Sequence, residues 1–126
     1  MLPKYARITT PADFSRVTKS GIRATTESFV GYLYIQPAPK DPQPRAGLIV
    51  GKSAGGSVQR HRLSRQLRHL IAPALSKFPE GSLLVIRALA QKSAEKDVKS
   101  VEIQMEKLFS DLIRKSEKFK SKADAQ

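Results

Sequence analysis

Apolar residues recur along this chain at two spacings. Between Phe29 and Ile35 they alternate, with Val30, Tyr32 and Tyr34 on one side and Phe29, Leu33 and Ile35 on the other, the period of a strand. A second strand is predicted at Ala46 to Val50, paired with the first. The run Leu83 to Ile86 is wholly apolar, which suits a strand buried on both faces. The helical spacing appears at Leu63, Leu67, Leu70, Ile71 and Ala74, predicting a helix from about Ser57 to Leu70 or a little beyond. It returns at Val98, Val101, Met105, Leu108 and Leu112, predicting a last helix over about Lys96 to Lys115. From Ser116 onward the chain is polar and lysine-rich and is expected to fray.

Start and stop signals complete this frame. In Thr10-Pro11-Ala12-Asp13, threonine can cap a helix, proline is pre-set for its first position and aspartate complements the dipole. Gly21 is placed to end that helix in a left-handed conformation. Pro37 to Pro44 reads as a proline-rich loop and Gly51 to Gly56 as a glycine-rich turn. The order is helix, two or three strands, helix, strand, helix, an α/β or α+β sandwich in which Ala46 to Ile86 permits a parallel pair. One domain over residues 1–115 and a basic, flexible tail over 116–126 are expected.

Composition narrows the class of partner. No apolar run approaches the roughly 20 residues that span a bilayer, and MLPKYARITT lacks a secretory signal's apolar segment, so a cytoplasmic protein is expected. The absence of cysteine excludes disulfides, thiol catalysis and cysteine metal sites. Lys and Arg number 23 against 11 acids, a formal charge of +12, and such self-repulsion makes sense beside a polyanion.

The charge is concentrated between Gly51 and Leu70. On a helix turning about 100° per residue, Arg62, Arg65, Arg68, His61 and His69 project opposite the leucine stripe. Arg60, Arg62 and Arg65 also lie near the positive end of the helix dipole, which disfavours the helix by a few tenths of a kcal/mol per charge until an oxyanion arrives. Helix N-terminal amides, a glycine turn and arginine forks together make a phosphate site. The plainer reading, a solvated basic face, would call for i to i+4 acidic partners, and no acid interrupts this segment.

Other chemistries find less support. A nucleotide phosphate loop ending at Gly51-Lys52-Ser53 would need a glycine where Ala46 stands. His61 and His69 lie among arginines without a nearby carboxylate, a poor setting for a metal ion. Asp13, Glu27, Asp41, Glu80 and Glu95 are scattered and form no acid/base or two-metal motif, so no catalytic residue is assigned. Bases of single-stranded nucleic acid stack on aromatics, for which Phe14, Tyr32 and Tyr34 are candidates. Phe14 suits either a core position or a cleft wall.

Taken in order, Asp13-Phe14 with Val17 and Gly21, Phe29-Val30 then Tyr32, Arg45-Ala46-Gly47-Leu48 leading to Lys52, and Gly55-Gly56-Ser57-Val58-Gln59-Arg60-His61-Arg62 with Arg65 and Arg68 resemble the protein subunit of bacterial ribonuclease P. The resemblance spans nearly the whole chain, including the apolar run that ends in Arg87 and the final amphipathic helix. It implies a two-layer α-β sandwich of order α-β-β-β-α-β-α with a left-handed β-α-β crossover. It also implies a partner, a large catalytic RNA, and a substrate, precursor tRNA, whose 5′ leader is removed with Mg2+ held mainly by that RNA. Neither a membrane nor a small-molecule substrate is implied. Carried over position by position, Lys52, Arg60, His61, Arg62, Arg65 and Arg68 would contact RNA, while Phe14, Tyr32 and Arg87 would line a leader cleft between the basic helix and the sheet. His61 replaces the family's usual asparagine, Ser64 a common lysine, and Thr18 an aromatic of some relatives. A ribosomal protein or RNA chaperone using the same helix is the alternative. DNA binding lacks a helix-turn-helix pair, and a membrane-surface role lacks exposed Trp or Phe opposite the charges.

Overall fold

Four strands organise the chain, and the most apolar of them lies inside the sheet. The computed structural model describes residues 7–8, 10–36, 43–52, 55–89 and 98–124. In chain order the elements are α1 (Pro11–Ser20), β1 (Ile22–Thr25), β2 (Phe29–Ile35), β3 (Arg45–Ile49), α2 (Ser57–Ala74), β4 (Ser82–Ala88) and α3 (Val98–Asp124), with a 3-10 turn at Leu75–Lys77. The order α-β-β-β-α-β-α is the expected one. Among the described residues no helix is long and apolar enough to cross a membrane.

The strands run β1-β2-β4-β3 across the sheet. β1 and β2 form an antiparallel hairpin, and β2 pairs antiparallel with β4. β3 pairs parallel with β4 through the α2 crossover, so the predicted β2–β3 pairing is corrected: β4 separates the two strands. The reason lies in burial. Leu83 to Ile86 are each at most 3% exposed, and such a strand is most stable with neighbours on both edges and helices on both faces. The free edge of β3 is met by the segment before α1, where Ile8 N–H donates to the Ala46 carbonyl at 2.9 Å. Residues 37–42, most of the predicted proline-rich loop, lie outside the described residues.

Alternation along β2 divides the core in two. Phe29 and Leu33 join Leu84 and Ile86 beneath Leu67 and Ile71 of α2 and Met105, Leu108 and Leu112 of α3. Val30 and Tyr32 join Leu83 and Val85 on the opposite face, beneath Val17 of α1 and Ile8. The sheet and the α2/α3 layer thus form the sandwich, and α1 covers part of the other side. Gly31 lets α3 approach, since a Cβ there would sit 3.0 Å from Leu108 and Leu112 side-chain carbons. Gln104 of α3 fastens the β1–β2 turn, its Oε1 accepting from Ser28 N at 2.9 Å and Thr26 Oγ1 at 3.0 Å.

Helix ends differ from expectation in two places. Thr10 caps α1 as predicted, its Oγ1 accepting from Asp13 N at 3.3 Å. Gly21 does end that helix, donating to the Val17 carbonyl, but with extended backbone (φ −80, ψ 164) instead of a left-handed one. Glycine is needed there for space: a Cβ would collide with the Val17 carbonyl oxygen. α3 continues to Asp124, past the end expected at Lys115. Ser116 falls four residues after Leu112 on the buried stripe, is 2% exposed, and satisfies its hydroxyl by donating to the Ile113 carbonyl at 2.7 Å.

Candidate nucleic-acid interface

The interface begins where β3 ends. Lys52 is exposed just beyond that strand, and Gly55 then turns the chain at φ +128, a conformation that side-chain-bearing residues rarely adopt. Gly56 caps α2 without a side chain, and no acid occupies the first helical turn. Gln59 alone reaches back, accepting from Gly56 N at 3.3 Å. The positive end of the helix therefore has no carboxylate of its own first turn to neutralise it.

Along α2 the sequence pattern translates directly into two faces. Leu67, Ile71 and Ala74 are buried, with Leu63 and Leu70 packed against the same core. His61, Arg62, Arg65 and His69 are exposed, and Arg68 is half-buried. No hydrogen bond or ion pair engages the guanidiniums of Arg62, Arg65 or Arg68 among the described residues. A groove of about 430 Å³ runs beside this ridge, with His61, Arg65, Arg68 and His69 as its described lining. Val58, 70% exposed, stands in the same ridge one turn before Arg62.

Arg60 stands apart from that ridge. Seven residues before Leu67 and eleven before Ile71, it belongs to the leucine stripe, and its Nε is buried without a partner among the described residues. The same helical spacing that identified the stripe places Arg60 on it. Its contribution to a shared cationic face is confined to whatever its guanidinium tip reaches past the packed stem.

The predicted cleft residues share the α1 side of the sheet. Strand register aligns Arg23, Tyr32, Val85 and Gly47 in one row, and Thr25, Val30, Arg87 and Ile49 in the next. Arg87 is exposed, whereas Tyr32 is only 9% exposed and sits in the cluster with Val17 and Val85, so its ring is first a core element. Tyr34, next on that face, is half-exposed. Phe14 resolves its two readings by serving both: it packs against the cluster and lines a groove of about 180 Å³ with Arg7, Ile8, Gly47 and Arg68. That groove brings the basic helix and the aromatic of α1 together across β3.

Arg7, Arg23 and Arg45 were not among the predicted site residues. Arg45 aligns with Leu83 and, through it, with Tyr34, and Arg23 aligns with Tyr32, so pairing sets these two cations on the aromatic face, while Arg7, bridged to Ala46, lines the groove at the edge of β3. Strand alternation carries the signal for Arg23 and Arg45, but only once the register is known. The structure also brings Glu102 and Glu106 of α3 beside His69 and Lys77, bounding the basic ridge at its C-terminal end. Among the described residues no group of three or more His, Cys, Asp or Glu is placed to hold a metal ion.

Known proteins share both this sequence pattern and this fold. The family model described as Ribonuclease P matches residues 2–113. The chain is 43% identical over 90 residues to the ribonuclease P protein component of Mycobacterium sp. strain KMS, covering 71% of this chain and 75% of that one. It is 37% identical over 94 residues to that of Acidothermus cellulolyticus, covering 75% and 78%. Among solved structures, the RNase P protein of Staphylococcus aureus superposes with a TM-score of 0.71 at 21% identity, over 86% of this chain and 97% of that one. The Thermotoga maritima RNase P protein gives a TM-score of 0.66 at 22% identity, over 86% and 96%. At those identities the likeness is one of fold.

Proposed function

The chain belongs to the ribonuclease P protein family, and on that premise we propose that it binds a catalytic RNA along α2 and the 5′ leader of precursor tRNA in the groove joining α1, β3 and α2, assisting removal of that leader in the cytoplasm. Membership makes it a component of an endoribonuclease ribonucleoprotein. The observation that carries the reading is the ridge of Arg62, Arg65 and Arg68, unpartnered among the described residues and opposite a buried stripe. A helix anchored by Leu67 and Ile71 roots those arginines at fixed spacing along one row, so phosphate oxygens meet bidentate donors whose backbone positions need no rearrangement. Lys52 and His61 extend the row toward the glycine turn, whose backbone allows close approach.

The leader would be held by different chemistry. Phe14 offers a stacking face that does not depend on base identity and Arg68 offers charge in that groove, while the ring edges of Tyr32 and Tyr34 and the charge of Arg87 would extend the contact along the same side of the sheet, beyond the groove's described lining. Such a groove distinguishes precursor from mature tRNA because only the former supplies an unpaired 5′ strand. The Mg2+ that the family uses does not fit this chain's residues: the histidines stand among arginines, and no acidic cluster faces the ridge at its N-terminal half among the described residues. Metal ions are therefore left to the RNA, and the protein supplies charge neutralisation and substrate positioning.

Reconstitution tests this. Cognate ribonuclease P RNA and precursor tRNA are combined at low magnesium with and without the protein, and cleavage is followed. A gain in rate, with tighter binding of precursor than of mature tRNA, is expected. Unchanged cleavage with intact RNA binding would instead assign the chain a non-enzymatic RNA-binding role.

A further inference from the structure

Gly47 sits in the middle of β3, where glycine weakens a strand and needs a reason. Conformation is not that reason, since among the described residues positive φ occurs at Gly55 and Gly81 and not here. Space is. A Cβ at position 47 would lie 2.5 Å from Phe14 Cζ and 2.6 Å from Phe14 Cε1, and 3.3 Å from Ile8 Cβ. The edge of the aromatic ring occupies the volume that any side chain would need.

We propose that Gly47 is a positioning residue for the leader groove: its missing side chain seats the Phe14 ring on the β3 backbone, which sets the ring opposite Arg68 and gives the groove its depth. The inference rests on the reading of Phe14 as a leader surface and names what makes that surface possible. Three elements converge on the point. α1 supplies the ring, β3 supplies a flat patch of backbone, and α2 supplies Arg68 across the same 180 Å³ groove. Ile8, held by its N–H bond to Ala46, closes one side and limits how far the ring can slide. Alanine at 47 would lift the ring off the strand into the space a base would otherwise enter.

A double-mutant cycle of Gly47→Ala and Phe14→Ala decides it, read two ways: by denaturation of the free protein, and by the ratio of holoenzyme affinities for precursor and mature tRNA. Gly47→Ala alone should lower that ratio about fivefold or more, the scale of one lost base-stacking contact. With Phe14→Ala already present it should change the ratio by less than about twofold, because the two substitutions remove the same contact. Should Gly47→Ala fail to fold, recovery of folding by adding Phe14→Ala supports the coupling, and failure of the double variant to recover overturns it. An unchanged ratio for Gly47→Ala, or an equal loss in both backgrounds, also overturns it. If Phe14→Ala itself leaves the ratio unchanged, the leader reading of Phe14 fails and the positioning role falls with it. The denaturation cycle then reports separately whether the two residues are coupled.

Discussion

Replacing Arg65 with alanine should remove one phosphate contact from the RNA-bound state and leave the fold alone. Arg65 is exposed on α2, about a third of a turn or more around the helix axis from Leu67 and Ile71 in the core, and makes no hydrogen bond or ion pair among the described residues. Alanine is at least as good a helix former, so stability should hold within about 0.5 kcal/mol. Because no acid among the described residues neutralises the guanidinium, its full charge is available to displace a counterion. The slope of log K against log salt should therefore fall in magnitude by about 0.7 to 0.9 relative to the unsubstituted protein, and the triple variant lacking Arg62, Arg65 and Arg68 should lose about 2 to 3. Arg114 provides the control. It is as exposed as a ridge residue but pairs with Asp111 at 3.1 Å on α3, so Arg114→Ala should leave the slope unchanged. The assay is equilibrium binding of the catalytic RNA across a salt series at fixed magnesium. Equal slopes for Arg65→Ala and Arg114→Ala would refute the claim that the ridge is the RNA-contacting face.

Further expectations concern the frame that holds the site. Gln104→Ala should cost about 1 to 3 kcal/mol in chemical denaturation, because it removes the acceptor of the Ser28 N–H and leaves the Thr26 hydroxyl only the longer contact to the Phe29 carbonyl at 3.5 Å. Gly31→Ala should destabilise by about 1 to 3 kcal/mol, since its new carbon meets Leu108 and Leu112 at 3.0 Å, and Leu108→Ala made with it should lessen the penalty attributable to position 31. Tyr32→Ala should lower the melting temperature as well as precursor affinity, because the ring is 9% exposed and packed with Val17 and Val85. Tyr32→Phe, which keeps that packing, should retain stability, and any selective loss of precursor affinity in it would report the hydroxyl alone.

Features that depend on neighbours within a few residues are legible in the chain's own spacing. The two faces of β2, the leucine stripe of α2 with its basic ridge opposite, and the buried stripe of α3 follow from side-chain direction along one element, which spacing encodes. The position of Arg60 on the apolar stripe follows by the same rule, though grouping it with the ridge by charge conceals it.

What tertiary structure alone decided was which elements meet. An apolar alternating strand can pair with any other, so nothing local distinguishes β2 from β4 as the neighbour of β3; the choice falls to the arrangement that buries Leu83 to Ile86 on both sides. That choice brings α1 over β2 and β4, from where Phe14 reaches Gly47 of β3 across from Arg68, and the fold draws the acids of α3 to the end of the ridge. The chain's own periodicity thus determined the cationic face, a property of one helix. The groove needed contacts between residues dozens of positions apart, whose free energy is shared among all the elements that pack there.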